Sequence, residues 1–292
     1  MSSFSSASRD YASSVSRFHS RSETVLVFSF SLRRLKCSLH GIFIFLSKRN
    51  AKIGSFFIFT NVSVKLFSFN PFMKANMLYD ISYDKPTTHF LSFKVTLKSP
   101  KPNLLIQLPN WRPGRYQIQN FAKRIKNLSA KDERGQNLSV KKVDKSSWLL
   151  NNEVGEVTIN YEYFAFEMDA GNTWLDDEQV YINFINCCIY DPSQMEQPCE
   201  VRLDLPADYS IASGLRSIND HTLIAPSFYQ LVDSPLIASR SLRLVKYVVN
   251  GSNFNIWIQG HNPKSDTELI KDFSAFTQLQ VDVMHEFPCK DY

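Results

Sequence analysis

Between Met77 and about Val249 the chain is a succession of short apolar stretches with a period of two. The segment HFLSFKVTL puts Leu91, Phe93, Val95 and Leu97 on one face and Phe90, Ser92, Lys94 and Thr96 on the other. Successive side chains of a strand point to opposite faces, so this alternation predicts a half-buried β-strand. LLIQLP, GEVTINYEYFAF, QVYINFINCCIY, CEVRLDLP, HTLIAPS and LRLVKYVV read the same way, and turn-rich text such as LPNWRPGRY, DERGQN, DLPADY and SINDH separates them. Pro, Gly, Asn and Asp supply the backbone angles and local hydrogen bonds that turns need. Many short strands without a helical period between them argue for a mainly β fold, an antiparallel β-sandwich, rather than an alternating α/β chain. No internal repeat is visible.

The pattern changes after Val249. FNIWIQGHNP reads as one more strand, and SDTELIKDFSAFTQLQVDVMHEF then turns helical. Ser265 followed three residues later by Glu268 forms a capping box, in which each side chain satisfies an orphan amide of the first turn. Leu269, Phe273, Phe276, Val283 and Phe287 recur at spacings that suit one apolar face, and Pro288 ends the helix. Such a face with nothing after it to cover it leads us to expect that the chain is cut off within a second domain.

His285-Glu286 near the end of the sequence looks like the start of the zinc-binding H-E-x-x-H motif, in which two His one turn apart hold the metal and Glu acts as base. The fourth residue after His285 is Cys289, not His, and Pro288 interrupts the helix that would carry it. The pair is therefore a look-alike. The other histidines (His19, His40, His89, His221 and His261) make no i,i+4 ligand pair on a credible helix, and the five cysteines (Cys37, Cys187, Cys188, Cys199, Cys289) form no C-x-x-C. No metal site is expected from these residues. Adjacent Cys187 and Cys188 would point to opposite faces of a strand, and buried thiols in a reducing compartment are the simplest role for most of the five.

Charge is distributed unevenly. Residues 1–72 hold ten Lys/Arg against two Asp/Glu, a net of +8, and 12 of the 23 Phe; the rest of the chain carries 23 basic and 26 acidic groups, a net of −3. The slightly acidic remainder gives no support for nucleic-acid binding. Basic residues interrupt residues 1–72 too often for a spanning helix of ~18 apolar residues, and a secretory signal fits poorly. Two readings remain for this Ser/Phe-rich basic extension: an organelle transit peptide, or non-native sequence upstream of a start at Met73. We prefer the second and treat 1–72 as an unassigned extension, disordered or non-native. The expected location is the cytoplasm, or an organelle if 1–72 is genuine.

LPNWRPGRYQIQNFAKRI resembles the N-terminal domain of the glycyl aminopeptidases, family sixty-one of the metallopeptidases, where a P-x-W-x-P-G-x-Y segment precedes a Phe-Ala pair. YEYFAFEMDAGNTWLDDEQVYINFINCCIY, CEVRLDLP, YQLVDSPLIAS and FNIWIQGHNP resemble the same family, in order, from about Met77 to the end. The resemblance implies a non-catalytic β-sandwich at 73–245, with 246–292 as the strand and α-helix that begin a truncated catalytic domain. It further implies that the zinc site lies in that missing domain, so no cofactor belongs to this chain. The implied partners are the chain's own downstream catalytic domain and, through the whole enzyme, peptides with a free N-terminus. Preference for N-terminal glycine or alanine is part of what it implies. The alternative is a free-standing binding module derived from such a peptidase.

Within that frame WLDDEQ offers Asp176, Asp177 and Glu178 as carboxylates for a substrate α-ammonium group, since an opposite charge nearby favours the charged form; a solvated turn is the plain alternative. Arg112 and Arg115, around Pro113-Gly114, have the geometry to grip a carboxylate bidentately or to pin the turn. Trp111, Pro113, Gly114, Arg115, Tyr116, Trp174, Asp233, Ser234 and Pro235 are expected to build the domain interface or its structural motifs. Trp148 reads as a core or interface aromatic.

Overall fold

The computed structural model describes residues 75–99, 101–112, 117–285, 287 and 291–292, together with the backbone of four strands at Ser13–Ser20, Glu23–Phe30, Phe43–Ser47 and Ser55–Ile58. The rest of the 1–72 extension lies outside these residues, as do Pro113, Gly114, Arg115, Tyr116, Glu286, Pro288 and Cys289. The chain divides into two compact units, Ser68–Leu242 and Met1–Phe67 with Arg243–Tyr292.

In the first unit the strands are β1 (Met77–Ser82), β2 (Phe90–Ser99), β3 (Leu105–Gln107), β4 (Ile125–Asp132), β5 (Asn137–Leu138), β6 (Val140–Lys142), β7 (Ser147–Leu150) and β8 (Gly155–Phe164). They continue with β9 (Trp174–Leu175), β10 (Gln179–Ile182), β11 (Cys199–Leu203), β12 (Ser210–Ser213), β13 (Arg216–Asn219), β14 (Thr222–Ala225) and β15 (Leu236–Ser239). Two short helices, α1 (Phe184–Cys187) and α2 (Phe228–Val232), interrupt them. The main sheet has eight strands in the order β13-β14-β11-β1-β2-β8-β4-β5; a four-stranded sheet runs β9-β10-β15-β12 and a three-stranded one β6-β7-β3. The fold is mainly β with antiparallel pairing, as the alternation predicts. One pairing departs from it: β1 and β11 run parallel, with Met77 opposite Cys199.

The predicted inner face of β2 is the buried one, with Leu91, Phe93, Val95 and Leu97 inaccessible to water. Its neighbour β8 buries Val157, Ile159, Tyr161 and Tyr163 in the same alternation, opposite β2 residues of matching parity. Val180 and Ile182 of β10, Ala238 of β15 and Ile106 of β3 complete the same core from the smaller sheets. Burying one such aliphatic or aromatic side chain stabilises by ~1.5–3 kcal/mol, so this shared core is what holds the sheets together. Two tyrosine hydroxyls that enter it are paired: that of Tyr79 donates to the Ile189 carbonyl at 3.0 Å and that of Tyr161 to the Cys187 carbonyl at 2.6 Å.

QVYINFINCCIY is not one strand. It leaves the sheet after Ile182, turns through α1, and ends with Cys188 capping that helix. Cys187 and Cys188 therefore do not point to opposite sheet faces; both are fully buried, as is Cys199. Burial pushes the Cys188 and Cys199 thiols up, which keeps them protonated and unreactive.

In the second unit β16 (Arg243–Val249) and β17 (Ser252–Ile258) form a hairpin whose turn residues Asn250 and Gly251 have φ of 48° and 79°. Asn-Gly suits a two-residue hairpin turn because both positions need positive φ. The other side of β17 pairs with the backbone of Ser55–Ile58. Helix α3 (Asp266–Met284) starts in the predicted capping box, with Ser265 and Glu268 bonding reciprocally, and stops at His285 in the left-handed region, before Phe287.

Its buried line differs from the predicted face. Leu269, Thr277 and Val281 are buried and Phe273 partly so, whereas Val283 is 75% exposed. Each step of four residues advances roughly 40° around a helix, so the line slants towards Val281 and leaves Val283, about 160° away from it, in water. The face is not uncovered: it packs on the hairpin, and the Tyr247 hydroxyl lies 2.9 Å from the Thr277 hydroxyl. No helix among the described residues is long and apolar enough to cross a membrane.

Candidate functional site

The acidic run of WLDDEQ sits in the turn between β9 and β10. Asp176 accepts from the Trp174 indole at 2.8 Å, from the Glu178 amide at 2.9 Å and from the Gln179 amide at 2.8 Å. An aspartate that takes its own downstream amides holds a turn, so this carboxylate is already committed. Asp177 and Glu178 are exposed, and their carbonyls accept from the Tyr209 and Ser239 hydroxyls. The turn thus presents two outward carboxylates on a rigid base.

Trp174 is half-buried and stacks on Phe166 with ring centres 4.8 Å apart. Phe166 in turn lies 4.0 Å from the His89 ring, and His89 donates from Nδ1 to the Leu175 carbonyl at 2.6 Å. That bond fixes the proton on Nδ1 and ties the Lys85–His89 turn to β9. The end of β8 and the residues just after it supply the remaining rings: Phe164 and Phe166 flank buried Ala165, so both point outward. Composition-level reading missed these two. The available signal was the alternation itself, since Tyr161 and Tyr163 fill the inward positions and leave phenylalanines where solvent-facing polar residues are normal.

Arg112 reaches the loop around Gly171. Nη1 donates to the Gly171 carbonyl at 2.7 Å, and Asn186 donates to the same oxygen at 2.9 Å. A Cβ at residue 171 would come within 1.8 Å of the Arg112 guanidinium, so a larger residue there would have to displace that group. Trp111 beside it is 47% exposed, whereas Trp148 is buried in the core. The remainder of the motif, Pro113, Gly114, Arg115 and Tyr116, lies outside the described residues. Asp233 and Ser234 close α2: the Asp233 and Ser234 amides both donate to the Leu231 carbonyl, and Pro235 leads into β15. These three sit away from the WLDDEQ turn in sequence and serve a local capping geometry.

Zinc finds no matching donor set here. Among the described residues no three His, Cys, Asp or Glu side chains are grouped to hold a metal ion. His89 and His221 each direct a ring nitrogen to a backbone carbonyl, and the three described cysteines are sealed in the core.

Residues 78–240 match the family model of the Peptidase M61 N-terminal domain. The chain belongs to that family. The match runs from the second residue of β1 to just after β15, so the candidate site lies inside the M61 N-terminal domain. Among solved structures, an aminopeptidase N family protein from Idiomarina loihiensis is 25% identical with a TM-score of 0.69, over 74% of this chain and 38% of that one. A mutant M1 zinc metallopeptidase from Deinococcus radiodurans bound to a Tyr-Ser-Ala substrate is 14% identical with a TM-score of 0.38, over 74% and 54% respectively. The chain therefore spans well under half the length of the Idiomarina protein and about half that of the Deinococcus one. No curated protein matches the chain.

Proposed function

We propose that residues 73–245 act as the non-catalytic N-terminal β-sandwich of a zinc aminopeptidase with N-terminal glycine or alanine preference. In this reading 246–292 begins the zinc domain, and the sandwich packs on that domain and shapes the mouth of its active site. The observation that carries it is the match of residues 78–240 to the Peptidase M61 N-terminal domain. The acidic turn gives the sandwich a means of taking part: Asp177 and Glu178 offer exposed carboxylates to a substrate's α-ammonium group, while Asp176 keeps the turn in shape. Trp111, Trp174 and the Pro113–Tyr116 segment belong, on this reading, to the junction between the two domains.

Two assays test it. The chain alone should bind no stoichiometric zinc and leave glycyl- and alanyl-p-nitroanilide intact, because a catalytic zinc needs about three protein ligands and an open position. Joined to the zinc domain, it should support chelator-sensitive hydrolysis of both, and Asp177→Ala with Glu178→Ala should raise KM more than it lowers kcat. One zinc per isolated chain together with aminopeptidase activity would overturn the reading.

A further inference from the structure

The turn that joins β16 to β17 holds the one Asn-Gly dipeptide of the sequence, Asn250-Gly251, and both residues are exposed. Glycine after asparagine leaves the following amide nitrogen unshielded by a side chain, so that nitrogen can reach the asparagine carboxamide. Such reactivity is one reason asparagine counts among the thermolabile residues. The dipeptide is read from the sequence; the fold decides whether the two groups are free to meet. Three described asparagines stand in the left-handed region, Asn103 and Asn127 at φ 55° and Asn250 at φ 48°, and all three are exposed. At Asn103 the nitrogen that would attack belongs to buried Leu104 and donates to the Asn152 Oδ1 at 2.8 Å. At Asn127 the carboxamide that would be attacked is held, because its Nδ2 donates to Glu162. Asn250 has neither restraint: among the described residues its carboxamide and the Gly251 amide take no hydrogen-bond partner. A Cβ at Gly251 would meet nothing within 4 Å, so the turn has room for a ring to close.

We infer that Asn250 is a modification site, at which the hairpin turn of the native protein deamidates to aspartate and isoaspartate. The Gly251 nitrogen loses its proton to solvent base and bonds to the Asn250 Cγ. The Cγ–Nδ2 bond breaks, ammonia leaves, and a five-membered imide closes. One water then opens the imide at either carbonyl, and no oxidant or reductant takes part. Opening at Cγ gives aspartate. Opening at the main-chain carbonyl gives isoaspartate, whose backbone runs through the side chain and is one methylene longer. The turn has no slack for that methylene: Val249 stands opposite Ser252, so two residues span it, and a turn of this length fixes the register of its strands. Isoaspartate at 250 therefore loosens the end of the hairpin, where Tyr247 stacks on Phe254 with ring centres 4.8 Å apart.

The test ages the full chain at mildly alkaline pH, digests it and weighs the peptides, with electron-transfer fragmentation to separate isoaspartate from aspartate. Asn250 should accumulate the acid forms about tenfold or more faster than Asn103 and Asn127, with isoaspartate among the products, and faster still as pH rises. Hydrogen exchange of the aged protein should show lower protection in β16 and β17 and unchanged protection in β2 and β8. In Asn250→Gly the turn keeps a residue suited to positive φ, so ageing should leave its β16 and β17 as they were. Equal deamidation at the three asparagines would overturn the site, because the fold would then draw no distinction between them. Deamidation of Asn250 without isoaspartate, or an equal loss of protection in aged Asn250→Gly, would overturn the loosening of the hairpin.

Discussion

Three donors converge on Asp176, and no residue type in WLDDEQ announces that one carboxylate of three is already committed. Replacing it removes accepted bonds from two backbone amides and one indole, and hydrogen bonds to a charged acceptor are worth about 1.5–3 kcal/mol. Because the turn is only partly buried, Asp176→Ala should destabilise by ~1–3 kcal/mol, a melting shift of roughly 2–4 °C per kcal/mol in a domain of this size. Asp177→Ala, at an exposed position, should stay within about 0.5 kcal/mol of wild type. Differential scanning calorimetry distinguishes the two, and equal losses would show that Asp176 does not hold the turn. At this scale the sequence disclosed the candidates but not their roles. Asp176, Trp174 and Arg112 could be named from their motifs. That Arg112 bonds the Gly171 carbonyl depends on residues 59 positions apart meeting in space, which no local spacing reveals.

Elements were legible wherever one face is wet and the other dry. Strand β2 falls where the alternation puts it, and the capping box of α3 is read directly from Ser265 and Glu268. QVYINFINCCIY misleads because its second half is buried on all sides, so hydrophobicity no longer carries a period. The cap also makes α3 sensitive to pH. Bonds from the Ser265 hydroxyl and amide hold the Glu268 carboxyl below its ordinary value. A carboxyl with a depressed folded pKa contributes stability above its unfolded value of about 4.3, and that contribution is lost as pH falls through the lower folded value. Protection of the first-turn amides of α3, measured against the intrinsic exchange rate at each pH, should therefore fall as the solution is acidified below about pH 4.3. Glu268→Gln should flatten that dependence. Ser265→Ala should cost about 0.5–2 kcal/mol at neutral pH. Exchange rates read by mass spectrometry decide it: an equal acid dependence in Glu268→Gln would mean that another group controls the helix start.

For the whole molecule, the two hydrophobic cores draw on separate stretches of chain. Among the described residues, every buried member of the larger core comes from Met77 to Ala238, and every one of the smaller core from Val245 to Tyr292. Composition showed a break at Met73, and the alternation showed a β region beyond it. What it could not show is that β17 pairs along its far side with the backbone of Ser55–Ile58, because β pairing across nearly 200 residues leaves no local trace. These facts give a chain beginning at Met73 a specific fate. Among the described residues its larger core loses no member, so amides of β2 and β8 should keep their full protection and the main melting transition should stay in place. Strand β17 loses a neighbour and becomes a bare edge, and exposed edges invite pairing with other chains. Amides of β17 should exchange faster, and the shortened chain should associate at concentrations where the full chain is monomeric. Hydrogen exchange and sedimentation velocity on the two chains measure both effects. Loss of protection in β2 and β8 as well would show that residues 1–72 support the sandwich itself, and the boundary at Met73 would then have to be abandoned.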